Sequence, residues 1–257
     1  HVAASTNIWS PNNALQTQIN VAGTSNMVES AIAQNAKRFI HTSTFAVWGF
    51  QDETFNEQTP VRHDADWLNY VRTKRAAQDI VKQAVERSNL DAVILHPAHI
   101  LGPFDRHNWS RMIRMVYHKQ LPGVPPGGGV FADVREVARA HINAFHKGRR
   151  GEHYLLGGTA ATYLELVALI GQVLERQVPK RASPAWILRL LAIVYDYLGR
   201  WRGREPDLTP EGVAMITHHL HCDSSKAMTE LDYKLTPLAD LVRDTCEWMR
   251  ADGLLES

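Results

Sequence analysis

The apolar positions of this chain fall into two textures. Up to about residue 105, stretches with helical spacing alternate with short, solid apolar runs. "ALQTQINVAGTSNMVESAIAQNAK" (14–37) has the helical spacing and "RFIHTS" (38–43) is a solid run. A second helix is predicted over about 67–87, and "DAVILHP" (91–97) is a second solid run stopped by Pro97. Solid runs between helices are the pattern of strands buried on both faces, so this half reads as βαβ units around a parallel sheet. Beyond residue 100, short strands ("GVFADV", "EHYLLGG") mix with helices predicted near 107–119, 162–175, 185–199 and 236–250. No repeat or low-complexity segment interrupts either half.

One run stands apart. "PAWILRLLAIVYDYLG" (184–199) is the longest apolar stretch, yet it is shorter than the roughly 20 residues a membrane-spanning helix needs, and it carries Arg189 and Asp196. With Arg200 these form one polar stripe on a helix whose other faces hold Trp186, Leu190, Leu191, Val194 and Leu198. The pattern predicts an amphipathic helix covering something apolar. Because Arg200, Arg202 and Arg204 follow directly, a peripheral membrane contact through 184–204 is a second option.

Composition narrows the function classes. A formal charge of +1 offers no field for nucleic acid, and no block of like charges suggests a binding tail. Cys222 and Cys246 have neither CxxC nor zinc spacing, which points to free thiols in a reducing, cytoplasmic setting. "HHLH" (218–221) is not a metal motif, since adjacent histidines rarely converge on one ion. The acidic loop 52–57 reads as solvated and Trp48 as packing.

In open parallel sheets ligands bind beyond the carboxyl ends of the strands. That rule selects "HTSTFAVWG" (41–49) and "HPAHILGP" (96–103), with the helix containing "LNYVRTK" (68–74) between them. Tyr70 and Lys74 lie four apart on one helical face. An ammonium near a phenol favours the phenolate and lowers the tyrosine pKa from about 10. A phenol so tuned exchanges a proton with a carbonyl or alcohol oxygen, and Ser43 or Thr44 is placed to hold that same oxygen. The spacing alone is also that of an ordinary surface pair.

Taken in order, these segments resemble an extended short-chain dehydrogenase/reductase. "HVAAST" is similar to the end of that family's fourth strand, and "NVAGTSNMVESA" to its Asn-Val-x-Gly-Thr helix, which implies a place for Asn20 near the active site. "HTSTFAVWG" matches the catalytic-hydroxyl segment, "YVRTK" matches Tyr-x-x-x-Lys, and "HPAHILGP" resembles Arg-Pro-x-Asn-x-x-Gly-Pro. The resemblance implies a Rossmann-type doubly wound parallel sheet with a smaller C-terminal α/β substrate domain. The expected partition is 1–105 with 130–150 for the first domain and 106–129 with 151–257 for the second. It also implies NAD or NADP as cofactor, with Thr44, Tyr70 and Lys74 catalytic. Val2, Ala3, Ala4, Ser43, Tyr70, Lys74, Pro97 and Ala98 would lie along the cofactor, and Phe45 and His99 along a small-molecule substrate. Self-association as a homodimer stays open.

Departures from the pattern refine the expected chemistry. Phe45 and Ala46 replace the Asp-Glu pair of sugar-nucleotide dehydratases. Gly129 stands where sugar-nucleotide epimerases usually carry a phosphate-binding arginine, and His99 stands where the family usually has asparagine. Without those charge-assisted partners a diphosphate is poorly held, so the sequence resembles instead the dihydroflavonol-reductase-like and 3β-hydroxysteroid-dehydrogenase-like branch. The expected reaction is hydride transfer to or from an apolar secondary alcohol or ketone. A nucleotide-sugar 4-epimerase using the same triad, and a non-catalytic cofactor-sensing scaffold or inactive fragment, are the alternatives. The family's Gly-x-x-Gly-x-x-Gly turn is missing, and the chain opens on "HVAAST" without an initiator methionine. The expectation is therefore that about two βαβ units, roughly 70 residues, are lost ahead of His1, through a partial gene or a trimmed chain. The 257 residues alone are then expected to bind NAD(P)H weakly.

Overall fold

The computed structural model describes residues 1–255. The first helical stretch is continuous but not uniform: α1 (Asn13–Thr17) passes through a π-helical turn (Gln18–Ala22) into α2 (Gly23–Ala33). It is followed by β1 (Phe39–Thr42), α3 (Asn69–Arg87) and β2 (Ala92–Pro97), close to the predicted positions. The second half comprises β3 (His99–Leu101), α4 (Trp109–Tyr117), β4 (Gly128–Asp133), α5 (Val134–Lys147), β5 (His153–Leu156), β6 (Thr159–Thr162) and α6 (Tyr163–Leu174). It closes with α7 (Ala185–Arg202), α8 (Pro210–Ile216), β7 (His219–Leu220), α9 (Ser225–Glu230) and α10 (Leu238–Ala251).

Two sheets organise these elements. In the first, β1, β2 and β5 pair in parallel in that order. Every residue of β2 is buried, as its solid apolar run requires. One face is covered by α2 and α3, whose Val28, Val81 and Ala84 pack on Phe39, Ala92 and Ile94. The other is covered by α5 and α9, whose Val137, Ala140, Ala144 and Ala227 pack on Val93, Leu95 and Tyr154. This is the doubly wound arrangement. On the outer edge of β1, the His1 ammonium donates to Ile40 O (2.7 Å) and Thr42 N donates to His1 O (3.1 Å).

The second sheet joins β3 and β4 in parallel, β4 and β6 antiparallel, and β4 and β7 in parallel. It packs with α4, α6 and α10 in a separate core around Phe131, Tyr163, Leu166 and Met249. Two local signals set its helices: the Asp133 side chain accepts from Arg135 N at the start of α5, and Thr162 and Glu165 form a capping box on α6.

Strand pairing corrects the expected partition. β5 and α9 belong with the first sheet, although residues from 151 onward were assigned to the second domain. β4, assigned to the first domain, pairs wholly within the second sheet. Helix α5, which the periodicity reading did not separate from the strand before it, covers the first sheet. An apolar run identifies a strand but not its neighbour, and here the chain crosses between sheets at Gly157 and Gly158. A Cβ on Gly158 would overlap the backbone of Phe131 and Ala132. Gly158→Ala is accordingly expected to destabilise the fold by at least about 3 kcal/mol, because no rotamer change relieves a backbone overlap. Urea unfolding measures it.

A second expectation also changes. Of the eighteen residues of α7, only Ala192 and Gly199 are buried. Its apolar positions face solvent instead of covering a core.

Candidate active site

The site lies at the carboxyl ends of β1 and β2, where the chain leaves each strand. After Thr42 the backbone stays extended through Thr44 (φ −154°, ψ 151°) and turns into a 3-10 turn, Phe45–Trp48, whose first amide Thr44 Oγ1 caps by accepting from Ala46 N (3.3 Å). Successive residues of an extended chain point to opposite sides, and this separates the two candidate hydroxyls. Ser43 Oγ turns to Gln78 Oε1 on α3 (3.4 Å), whereas the Thr44 hydroxyl lies by the Tyr70 phenol and lowers its pKa. Of the two, Thr44 is the one that shares a point with Tyr70.

Helix α3 supplies Tyr70 from its first turn and Lys74 from the next. Lys74 is buried, and its Nζ donates to Thr42 O at 2.6 Å. That carbonyl lies on the outer edge of β1, where the Thr42 amide already pairs with His1, and the ammonium caps it. Burial lowers the Lys74 pKa from 10.5 to about 8. Burial raises the Tyr70 pKa, and the Thr44 hydroxyl opposes this only partly. The expected depression of Tyr70 by Lys74 is therefore not present in this state: the ammonium is directed at a carbonyl, and the phenol stays protonated at neutral pH.

Residues not singled out as catalytic fix this helix. Asn20, in the π-helical turn, donates from Nδ2 to Thr73 Oγ1 (3.1 Å) and Ser5 O (3.0 Å), and accepts from Ser5 N (2.7 Å). Thr73 in turn donates to Tyr70 O (3.1 Å). Asn69 Nδ2 reaches Gln16 Oε1 (2.9 Å) in the same buried polar layer. Only the position of Asn20 was legible in the sequence, through its resemblance. A π turn leaves no composition signal, although such turns recur at functional sites. His96 was missed as well: it is buried, its Nδ1 lies 3.1 Å from Thr44 O and its Nε2 2.8 Å from Nδ1 of the half-buried His153, so this pair holds the backbone at Thr44.

The remaining expected positions are placed as follows. Val2 and Ala3 are exposed and Ala4 is half-buried, along the stretch from His1 on the sheet edge to Ser5 on Asn20. Pro97 is buried at the end of β2, and Ala98 N donates to Leu156 O (3.0 Å). Phe45 is buried and meets the His99 ring edge-on at 5.2 Å between centroids. His99 also contacts the rings of Trp109 (5.3 Å), Phe131 (5.5 Å) and Tyr163 (6.1 Å), and burial lowers its pKa to about 4. A Cβ on Gly129 would stand 2.7 Å from His99 Cδ2 and Nε2. The imidazole occupies the room a side chain at 129 would need. The two departures seen separately in sequence are one feature in space.

The donor set fits one end of a nicotinamide cofactor. An ammonium has three donors, and Lys74 uses one on Thr42 O, so two remain for ribose hydroxyls. Among the described residues no glycine-rich strand-to-helix turn is present for a pyrophosphate.

A helix-covered parallel sheet, with threonine, tyrosine and lysine converging beyond its carboxyl edge, is the architecture of an extended short-chain dehydrogenase/reductase. The chain belongs to the NAD dependent epimerase/dehydratase family, whose sequence model matches residues 1–157. This family is NAD(P)-dependent. The chain is 27% identical over 261 residues to sterol demethylase protein B of Methylococcus capsulatus, covering 99% of this chain and 79% of that protein. The crystal structure of gox2253 aligns with a TM-score of 0.80 at 28% identity, over 100% of this chain and 79% of the other. UDP-glucuronic acid 4-epimerase from Bacillus cereus, solved in complex with NAD, shares the fold (TM-score 0.73, 18% identity, 99% of this chain and 74% of that one).

Proposed function

We propose that the protein is an NAD(P)-dependent oxidoreductase acting on a secondary alcohol or ketone of largely apolar character. The observation that carries this reading is the pairing of His99 with Gly129. Beside the Thr44–Tyr70 pair, the wall offers a neutral imidazole among four aromatic rings. A nucleotide diphosphate needs cationic, bidentate donors at such a wall, whereas an apolar ring system loses nothing there. The similarity to a protein named for sterol demethylation supports the same substrate class.

The chain's own residues divide the work as follows. Thr44 Oγ1 and Tyr70 Oη hold the substrate oxygen between them. In the reducing direction the Tyr70 phenol, kept protonated by burial, gives its proton to that oxygen. In the oxidising direction it first loses its proton to solvent, a loss the Thr44 hydroxyl favours, and the phenolate then takes the proton of the alcohol. Lys74 holds the ribose and keeps positive charge near the phenol. A nicotinamide cofactor, when bound, supplies the hydride acceptor or donor.

The test is a substrate panel. Cofactor reduction by a chain that also carries a glycine-rich pyrophosphate turn is expected with hydrophobic secondary alcohols, and direct calorimetry is expected to find UDP-glucose bound at least about a hundredfold more weakly, the equivalent of two lost charge-assisted bonds. Gly129→Arg alone should destabilise the chain, because the His99 ring fills the space; adding His99→Ala should relieve it and raise affinity for UDP. Conversion of UDP-glucose to UDP-galactose without net cofactor change would assign the protein to the epimerases instead.

A further inference from the structure

Helix α7 turns its apolar side outward. At about 100° per residue, Ile193, Trp186, Tyr197, Leu190, Trp201 and Val194 lie side by side in one arc of about 100° with no charged residue among them. All six are exposed, Trp186 at 66%, Tyr197 at 75% and Trp201 at 80%. Arg200 and Arg189 border this arc on one side; on the other it continues through Ile187, Leu198 and Leu191 before Arg202. The opposite face is the anchored one: Ala192 and Gly199 are buried, and Asp196 accepts from Trp9 Nε1 at 2.7 Å. An ordinary surface helix has the reverse polarity, and a contiguous apolar patch of this kind marks an interaction surface.

We infer that α7 is an in-plane membrane-docking helix whose occupant is the headgroup and upper acyl region of an anionic bilayer. Three observations favour lipid over protein. Tryptophan and tyrosine at the most exposed positions suit a boundary that is apolar on one side and wet on the other. The rim is cationic, and two nearby acidic groups are ion-paired, Asp196 with Arg200 and Asp207 with Arg111. Among the described residues Arg189, Arg202 and Arg204 have no ion-pair partner, and Glu205, held by the neutral Asn7 amide, is a single acid beside three cations. A second copy packed α7 on α7 would press two arginine rims together, whereas anionic headgroups neutralise both. Among the described residues no helix is long and apolar enough to cross a membrane, so the contact is parallel to the surface.

Vesicle flotation with the purified 257-residue chain tests this. Flotation is expected with phosphatidylcholine vesicles containing phosphatidylglycerol, and about tenfold less with phosphatidylcholine alone. Leu190→Glu combined with Trp201→Glu, both at exposed positions, should reduce flotation by about tenfold or more while leaving the circular dichroism and melting temperature unchanged. Arg189→Gln with Arg202→Gln should remove the preference for anionic lipid. Absence of flotation on anionic vesicles would overturn the inference, as would equal flotation of the double-glutamate variant. A concentration-dependent dimer in sedimentation velocity that this variant dissolves, without flotation, would assign the face to a second copy.

Discussion

Replacing Tyr70 with phenylalanine is expected to lower turnover of a secondary alcohol by about 10²–10⁴-fold, the usual contribution of a positioned proton-transfer group. The ring packs beside Phe45, Leu68 and Val71, and phenylalanine keeps those contacts. The substitution removes one hydroxyl, which lies by that of Thr44. The loss should therefore fall on kcat, with KM and the melting temperature little altered. Steady-state kinetics of wild type and Tyr70→Phe on one hydrophobic alcohol decide it. Undiminished turnover in the variant would remove Tyr70 from the chemistry and return Tyr70 and Lys74 to the status of a helical pair.

Lys74→Met is expected to move activity and stability in opposite directions. Activity should fall by about a hundredfold or more as the charge beside the phenol and the ribose donors are lost. Stability at pH 7 should rise, by the following reasoning. The folded Lys74 has its pKa near 8, below the 10.5 of a free lysine, so between these values the unfolded chain binds the extra proton. Stability from this group therefore increases with pH across that window, and below pH 8 its burial penalty is fully present, on the order of 3 kcal/mol. Methionine removes that penalty but leaves Thr42 O without its donor, a cost of about 1–3 kcal/mol. The net gain at pH 7 is expected to be on the order of 1 kcal/mol. Urea unfolding of both proteins from pH 7 to 10.5 gives a difference curve that isolates this lysine; a flat difference would mean that the ammonium carries no burial penalty. In the wild type, KM for the cofactor should rise above pH 8 as the ammonium is lost.

The placement of Thr44, Tyr70 and Lys74 was legible because the elements that carry them are local. Tyr70 and Lys74 are one helical turn apart, and any helix over 67–87 sets them on one face. Thr44 follows an apolar strand by two residues, and the rule for open parallel sheets puts that point on the ligand side. The direction of the Tyr70 pKa was not legible. It depends on how deeply the phenol is buried and on where the lysine finds its acceptor, and Thr42 O reaches Lys74 only through packing of α3 on the edge of β1. The same holds for Asn20, fifty-three residues from its Thr73 partner, and for His96 and His153, whose contact depends on β2 and β5 being neighbours.

Sequence by itself determined the solid strands β1 and β2, the helices around them, the α/β class and the order of motifs that places the chain in its family. These follow from periodicity over a few residues, which short-range sterics and burial enforce on any chain carrying the pattern. Only the tertiary structure decided that β5 pairs with β2 while β4 joins the other sheet, that Ser43 turns away while Thr44 faces the phenol, that His99 fills the space over Gly129, and that α7 exposes its apolar side. Each of these depends on which distant surface an element meets. Periodicity fixes the face an element presents, and only packing fixes what that face touches.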